Sequence, residues 1–314
     1  MSDFAPIFDR KAHRRNRERA AAQWDSHDFL YREVAERLHD RLGDIRRQFP
    51  RVLDLSCRTG AMTEILRDAA GADWLVQCDL SERMARQAEK TGPAAVVSAD
   101  ALPFAPMSFD LVVSCLDLHW IDDLPGALLQ IRQCLKPDGL FLAALLGGES
   151  LHELRGSLTE AETQISGGSH LRISPMTDVR DAGALLQRAG FALPVADLDS
   201  ITVTYENSLR LLHDLRGMGE TSALLQRPRS LSRRSIFLEL ESSYRTRHAL
   251  ADGRLPATFQ IIFLTAWAPH ESQQKPLRPG SAGHRLAEAL EAEEQSAGEK
   301  VLGPAAPPDG QSKS

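Results

Sequence analysis

The 314-residue sequence predicts an α/β protein with a mostly parallel sheet, an antiparallel last strand and a helical cap. Three observations carry that expectation. From about 50 to 150, short apolar runs alternate with amphipathic stretches, the pattern of repeated strand–helix units. An acidic residue closes each of the first three runs. Beyond 150 a strand, a long helical insert and a strong final strand follow, which suggests a closing antiparallel pair with a cap between.

Each element has its own signal. RVLDL (51–55) reads as a short buried strand, and Met62, Ile65, Leu66 and Ala69 share one face of the helix after it. DWLVQCD (73–79) is the next strand, and SERMARQAEK (81–90) a helix with Ser81 as N-cap. AAVVSAD (94–100), FDLVVSC (109–115) and LFLAALL (140–146) supply three more strands. A helix over about 124–135 precedes KPDG, where Pro137 and Gly139 predict a turn. Further on, 150–166 reads as helix, and 178–191 as an amphipathic helix stopped by Gly190. SITVTYE (200–206) alternates like a strand, 207–217 and 230–250 are helical, and ATFQIIFLTAWA (257–268) is the last strand. The expected organisation is an N-terminal helical edge (1–48), a sheet core (49–150), strands with a helical cap (151–270) and a disordered tail (271–314). The tail holds five Pro, five Gly and no aromatic residue, too little apolar surface to offset ordering entropy.

Composition narrows the function classes. A net charge of −6, with 42% hydrophobic and 25% charged residues, is that of an ordinary globular protein and argues against a general nucleic-acid binder. No run of about 18 apolar residues predicts a membrane span. No secretory signal is evident, and Asp3, Asp9 and Glu18 sit inside the basic N-terminus, whereas transit peptides are acid-poor. Cys57, Cys78, Cys115 and Cys134 form no C-x-x-C pair, so neither a disulfide framework nor a zinc site is expected. These features together predict a cytoplasmic chain. Residues 10–19 carry six Arg/Lys, read as a solvated helical face or as a dock for an acidic partner or RNA. Arg227, Arg229, Arg233 and Arg234 invite the same pair of readings.

In an open parallel sheet, ligands bind at the carboxyl ends of the strands. There the sequence places LDLSCRTG, whose strand-to-helix turn would aim N–H groups at an anion, with Asp54 at the strand tip. Asp79 ends the second strand 19 residues after Gly60, a spacing suited to ribose hydroxyls. Asp100 ends the third strand, where a carboxylate can accept from an exocyclic amine. Together the three acids suit an adenosine compound.

These motifs, with VQCDLSERM, VVSADALPFAPMSFDLVVS and LKPDGLFL, resemble those of Rossmann-like class I methyltransferases that use S-adenosylmethionine. The resemblance implies that Asp54 and the loop with Ser56, Arg58 and Gly60 surround the methionine moiety. It places Asp79 and Leu80 at the ribose, and Asp100 and Ala101 by the adenine, with Cys115 at the end of the fourth strand. FAPIFDR, LHWIDDLP, GGESLHELR, RISPM, DLRGMGE, PATFQIIFLTAW and HESQQKP resemble more narrowly the complex I assembly factors of methyltransferase fold found in mitochondria and alphaproteobacteria. That likeness implies a protein substrate, a respiratory complex I subunit among the candidates. It also implies arginine hydroxylation as an alternative to methyl transfer, and membrane association only through the partner. A weaker likeness, in the capped C-terminal half, is to the methyltransferase that esterifies malonyl carrier protein.

The sequence departs from the D-x-G-x-G-x-G loop at Ser56 and Arg58. Serine costs little there if φ stays negative. A guanidinium about 6 Å from a sulfonium costs roughly 3 kcal/mol at an effective dielectric near 20. Arg58 could also clamp the methionine carboxylate or swing into solvent. As catalytic candidates the sequence offers His119 as a base and Asp117, two positions earlier, sharing a ligand with it if the strand end is extended. Hydroxylation by non-haem iron needs two histidines and a carboxylate, and the absence of H-x-D or H-x-E pairs predicts no metal. No nucleophile elbow, Walker loop or N-P-P-Y-like motif occurs, which disfavours hydrolase, nucleotidase and DNA-base chemistry. Two hypotheses remain: an enzyme modifying a protein, and a non-catalytic assembly chaperone using the same surface.

Overall fold

A computed structural model describes residues 5–274, so the predicted tail beyond 274 lies outside the described residues. Of these, residues 5–271 form one compact unit. Its elements run α1 (Arg10–Ala20), α2 (Phe29–Gly43), β1 (Arg51–Leu55), α3 (Thr63–Ala70), β2 (Trp74–Asp79), α4 (Glu82–Ala88) and β3 (Ala94–Val96). Then come β4 (Phe109–Cys115), α5 (Leu124–Cys134), β5 (Leu135–Leu146), α6 (His152–Ser166), α7 (Val179–Arg188) and β6 (Ala192–Tyr205). The chain closes with α8 (Ser208–Gly217), α9 (Arg234–His248) and β7 (Leu255–Trp267).

The seven strands order as β3-β2-β1-β4-β5-β7-β6. The first five pair in parallel, and β7 runs antiparallel between β5 and β6. Chain direction across the sheet reverses between β1 and β4, the switch point beside which such sheets open a crevice. The central strands are apolar on both faces because helices cover both. Val52 and Leu111 pack with Val34, Leu38 and Phe259 on one side. Leu53 and Val112 pack with Leu128, Leu186 and Ile262 on the other. Ser81 caps α4 as the sequence predicts, its Oγ accepting from Met84 N–H at 3.2 Å.

Three expectations need correction. β6 begins at Ala192 rather than 200. Pro194, Asp197 and Asp199 obscure its first half, yet an edge strand tolerates a proline and outward carboxylates. Arg41 meets Asp197 at 2.5 Å, and Arg37 pairs with Asp199, tying α2 to that edge. The KPDG segment does not separate helix from strand. It lies inside β5 as an interruption of the ladder, with Asp138 at φ 60°. β3 shrinks to Ala94–Val96, because the chain turns at Ser98 to bridge Ala101.

Candidate functional site

The carboxyl ends of β1, β2 and β4 converge on a buried cluster of charged groups. The loop after β1 keeps a glycine-like backbone: Ser56, Arg58 and Gly60 have φ of 72°, 57° and 85°. The condition under which Ser56 would cost little, a negative φ, is not met. A non-glycine residue there costs on the order of 1 kcal/mol, strain of the kind that collects at functional sites. Gly60 is fixed by contact as well, since a Cβ would stand 2.5 Å from Gln77 Oε1 and 2.7 Å from Thr91 Oγ1.

Asp54 is fully buried and neither carboxylate oxygen meets a hydrogen-bond donor among the described residues. Burial, reinforced by the charge of Asp79, pushes its pKa up to about 7. Asp79 accepts the N–H of Arg58 at 3.1 Å and of Ser81 at 2.8 Å. Burial pushes its pKa up to about 6, with Arg17 pulling the other way. Ser56 Oγ donates to Asp117 at 2.5 Å. Asp117, although buried, is held below the usual carboxylate range by Arg17, His13, Ser56 and His119.

Arg58 neither swings into solvent nor leaves the sheet end. Its side chain is buried, with Nη2 donating to Leu116 O at 2.7 Å and lying 3.4 Å from Glu220 Oε1. Nη1 stands 3.7 Å from Asp117, and the guanidinium lies over Trp24 at 5.4 Å.

The largest surprise is Arg17. The face of α1 formed by Ala12, His13, Asn16, Arg17 and Ala20 is buried, not solvated. Arg17 hydrogen-bonds Asp117 and lies 3.8 Å from Asp79, with no exposed side-chain surface. Helical spacing shows that these five residues share a face, but an arginine within a basic run carries no sign that it turns inward.

Glu220, after the left-handed Gly219, is the second residue the sequence argument missed. One oxygen accepts from Trp120 Nε1 at 2.7 Å and meets His119 Nε2 at 3.2 Å. His119, Arg17 and His13 hold its pKa low against burial. Asp117 and His119 do not point the same way, because β4 stops at Cys115, Leu116 takes φ 51° and Leu118–Trp120 is a 3₁₀ turn. The alternation of an extended strand no longer applies, and the two residues face different partners.

The remaining candidates spread out. Leu80 is half-buried beside Asp79. Asp100 pairs with Arg10 at 3.1 Å and accepts from Ser98 Oγ at 2.8 Å. Ala101 is exposed, and Cys115 is buried against Tyr31 with its thiol pKa pushed up by burial and by Asp54. Of the basic cap residues, Arg227 is taken by Asp9 at 2.9 Å, whereas Arg229, Arg233 and Arg234 are exposed.

A cavity of about 240 Å³ opens beside the cluster. Leu116, Trp120, Leu151, Leu154, Met218 and Phe237 make apolar wall, and Arg58, Arg172, Arg216 and Glu220 add charged groups to it. The cluster around it holds four carboxyl groups, Asp54, Asp79, Asp117 and Glu220, against the two guanidinium groups of Arg17 and Arg58. His13 adds no charge near neutrality, since burial lowers its pKa to about 4. At the strand ends carboxyl groups outnumber guanidinium groups, and burial first, then the neighbouring carboxylates, raises Asp54 and Asp79.

Comparison with known proteins agrees with this architecture. A family model described as a methyltransferase domain matches residues 53–143. The chain is 42% identical over 287 residues to "Arginine-hydroxylase NDUFAF5, mitochondrial" of Danio rerio, covering 90% of this chain and 89% of that protein. It is 35% identical to a malonyl-[acyl-carrier protein] O-methyltransferase of Halorhodospira halophila, over 86% of this chain and 92% of that one. A Bacillus halodurans structure described as a candidate methyltransferase superposes with a TM-score of 0.53 at 14% identity, over 75% of this chain and 99% of that one, which shows the fold.

The expectation of a cytoplasmic chain is overturned by the first of these relatives, whose name places it in the mitochondrion. Buried free thiols indicate a reducing compartment, and that does not single out the cytoplasm. No helix of the described residues is long and apolar enough to cross a membrane. With a methyltransferase architecture and relatives of 42% identity along nearly its whole length, the chain belongs to the complex I assembly-factor family named as arginine hydroxylases, enzymes built on the S-adenosylmethionine-dependent methyltransferase fold.

Proposed function

We propose that this chain modifies an arginine side chain of a protein client during assembly of respiratory complex I, with hydroxylation as the chemistry: one atom of dioxygen enters a C–H bond and the other leaves as water, with two electrons and two protons from an external reductant. One observation carries the reading: beside its apolar wall the cavity meets the buried carboxylate of Glu220 and, behind Arg58, that of Asp117, with Arg172 and Arg216 further along the lining. An arginine side chain has the matching form, an apolar stem with a cationic planar head. The same carboxylates already receive guanidinium groups from Arg17 and Arg58, so their spacing suits that group. Glu220 would hold the client guanidinium by charge-assisted hydrogen bonds, while Trp120 and His119 keep its carboxylate oriented. The apolar wall would position the methylene carbons and exclude water.

S-adenosylmethionine is the ligand proposed for the strand ends. The unpartnered carboxylate of Asp54 fits a positively charged group, and the positive φ of Ser56 and Arg58 retains the shape of the loop. When bound, S-adenosylmethionine supplies an electrophilic methyl group. That retained loop favours methyl transfer as the second reading.

Mass spectrometry of the client subunit from cells with and without this chain tests the proposal. Loss of an arginine one oxygen heavier is the expected result, and loss of one methylene would establish the second reading. An unmodified client in both strains overturns both.

A further inference from the structure

His27, His213 and Asp214 lie far apart in sequence or adjacent within a helix, and the fold brings them together. Each offers one ligand atom, and these atoms lie within 4.8 Å of one another. We propose that they form a binding site for a divalent transition-metal ion, with two imidazoles and one carboxylate as ligands. The sequence argument looked for paired ligands at short spacing and so could not find a trio assembled by α8 and the turn before α2.

Two of the three ligand atoms already stand at a separation that fits a metal. His27 Nδ1 and Asp214 Oδ1 are 3.0 Å apart. Two ligand atoms bound at about 2.1 Å and at right angles would be separated by about 3.0 Å. His213 Nδ1 is 3.9 Å from the same oxygen, and its side chain is 60% exposed, free to close that gap by a rotamer change. The imidazole rings have centroids 5.0 Å apart and planes at 57°, so they are not stacked against each other.

The position of His27 is built, not incidental. A Cβ at residue 217 would come within 2.2 Å of His27 Cδ2, so only glycine admits the ring. Gly217 sits in the last turn of α8, where glycine costs about 1 kcal/mol relative to alanine. Both imidazoles line a small cavity of about 90 Å³, and His27 also lines the larger one. Three protein ligands leave coordination positions open, as two-histidine, one-carboxylate centres do. Arg19 and Arg216 line the small cavity too. Their charge weakens the hold on a cation and suits the open positions to an anionic ligand. The site stands independently of the arginine reading.

The test uses the full chain, stripped with chelator and titrated with Co(II) alone under anaerobic conditions. The expected result is a saturable visible absorption band at one equivalent, displaced by Zn(II). His213→Ala and Asp214→Asn should abolish the band while leaving the circular dichroism spectrum and melting temperature of the metal-free protein near those of wild type. His213 is exposed, so its variant remains folded and informative. No band at millimolar Co(II), or a band unchanged in His213→Ala, overturns the proposal and leaves His27–Asp214 as a structural hydrogen bond.

Discussion

Single residues at the strand ends carry opposed demands of stability and binding. Asp54 has a folded-state pKa near 7 against an ordinary 3.8. A group raised this way binds a proton in the folded state that the unfolded chain has already released. Its contribution to stability is full below about pH 4 and is lost as pH rises through 7. Asp54→Asn should therefore raise the melting temperature at pH 8 more than at pH 5, by ~1–3 kcal/mol in stability. The same variant should weaken S-adenosylmethionine binding, read by calorimetry. Arg58→Gly removes a left-handed arginine but also a buried cation. The cationic S-adenosylmethionine should then bind at least as tightly, while neutral S-adenosylhomocysteine gains less and the fold loses stability. Equal losses for both ligands would instead identify Arg58 as a clamp for their shared carboxylate. Arg17→Ala leaves Asp117 and Asp79 buried without their partner and should cost about 3–5 kcal/mol in chemical denaturation.

At the scale of elements, α1 is the feature that joins fold to site. Asp9 caps its first turn, and Asp122 accepts the N–H groups of Ile7 at 2.7 Å and Phe8 at 3.0 Å. Asn16 donates to Thr221 O at 2.7 Å, and His13 stacks on Trp120 at 4.8 Å. The helix is thus fastened to both the β4 end and the segment after α8. Asp122→Ala should loosen this closure, raising hydrogen exchange over residues 7–20 at a cost of about 1 kcal/mol. The sheet elements were legible because their apolar runs are local and doubly buried, as at Val52–Leu55. Half of β6 was not, because edge strands carry the Pro194 and acidic residues that signal loops elsewhere. Asp54, Arg58, Asp79 and Asp117 could be picked out of the sequence since each stands at a strand end. Arg17 and Glu220 could not, because only tertiary contact distinguishes a buried charge from a solvated one.

Across the whole molecule, a net charge of −6 conceals a separation of charge. Lys11, Arg14 and Arg15 remain exposed on the outer face of α1, and Arg229, Arg233 and Arg234 on the cap, while an acid-rich cluster lies beneath. A basic exterior can orient an acidic client surface. In the proposed reading, the buried carboxylate of Glu220 beside an apolar wall is the group that receives the client's arginine. The most direct test replaces the chromosomal copy with Glu220→Gln and measures the mass of the client's arginine-bearing peptides. Glutamine retains the size of the side chain and removes its charge. The account predicts a soluble, folded variant whose client carries no modified arginine. Full modification of the client by Glu220→Gln would contradict it.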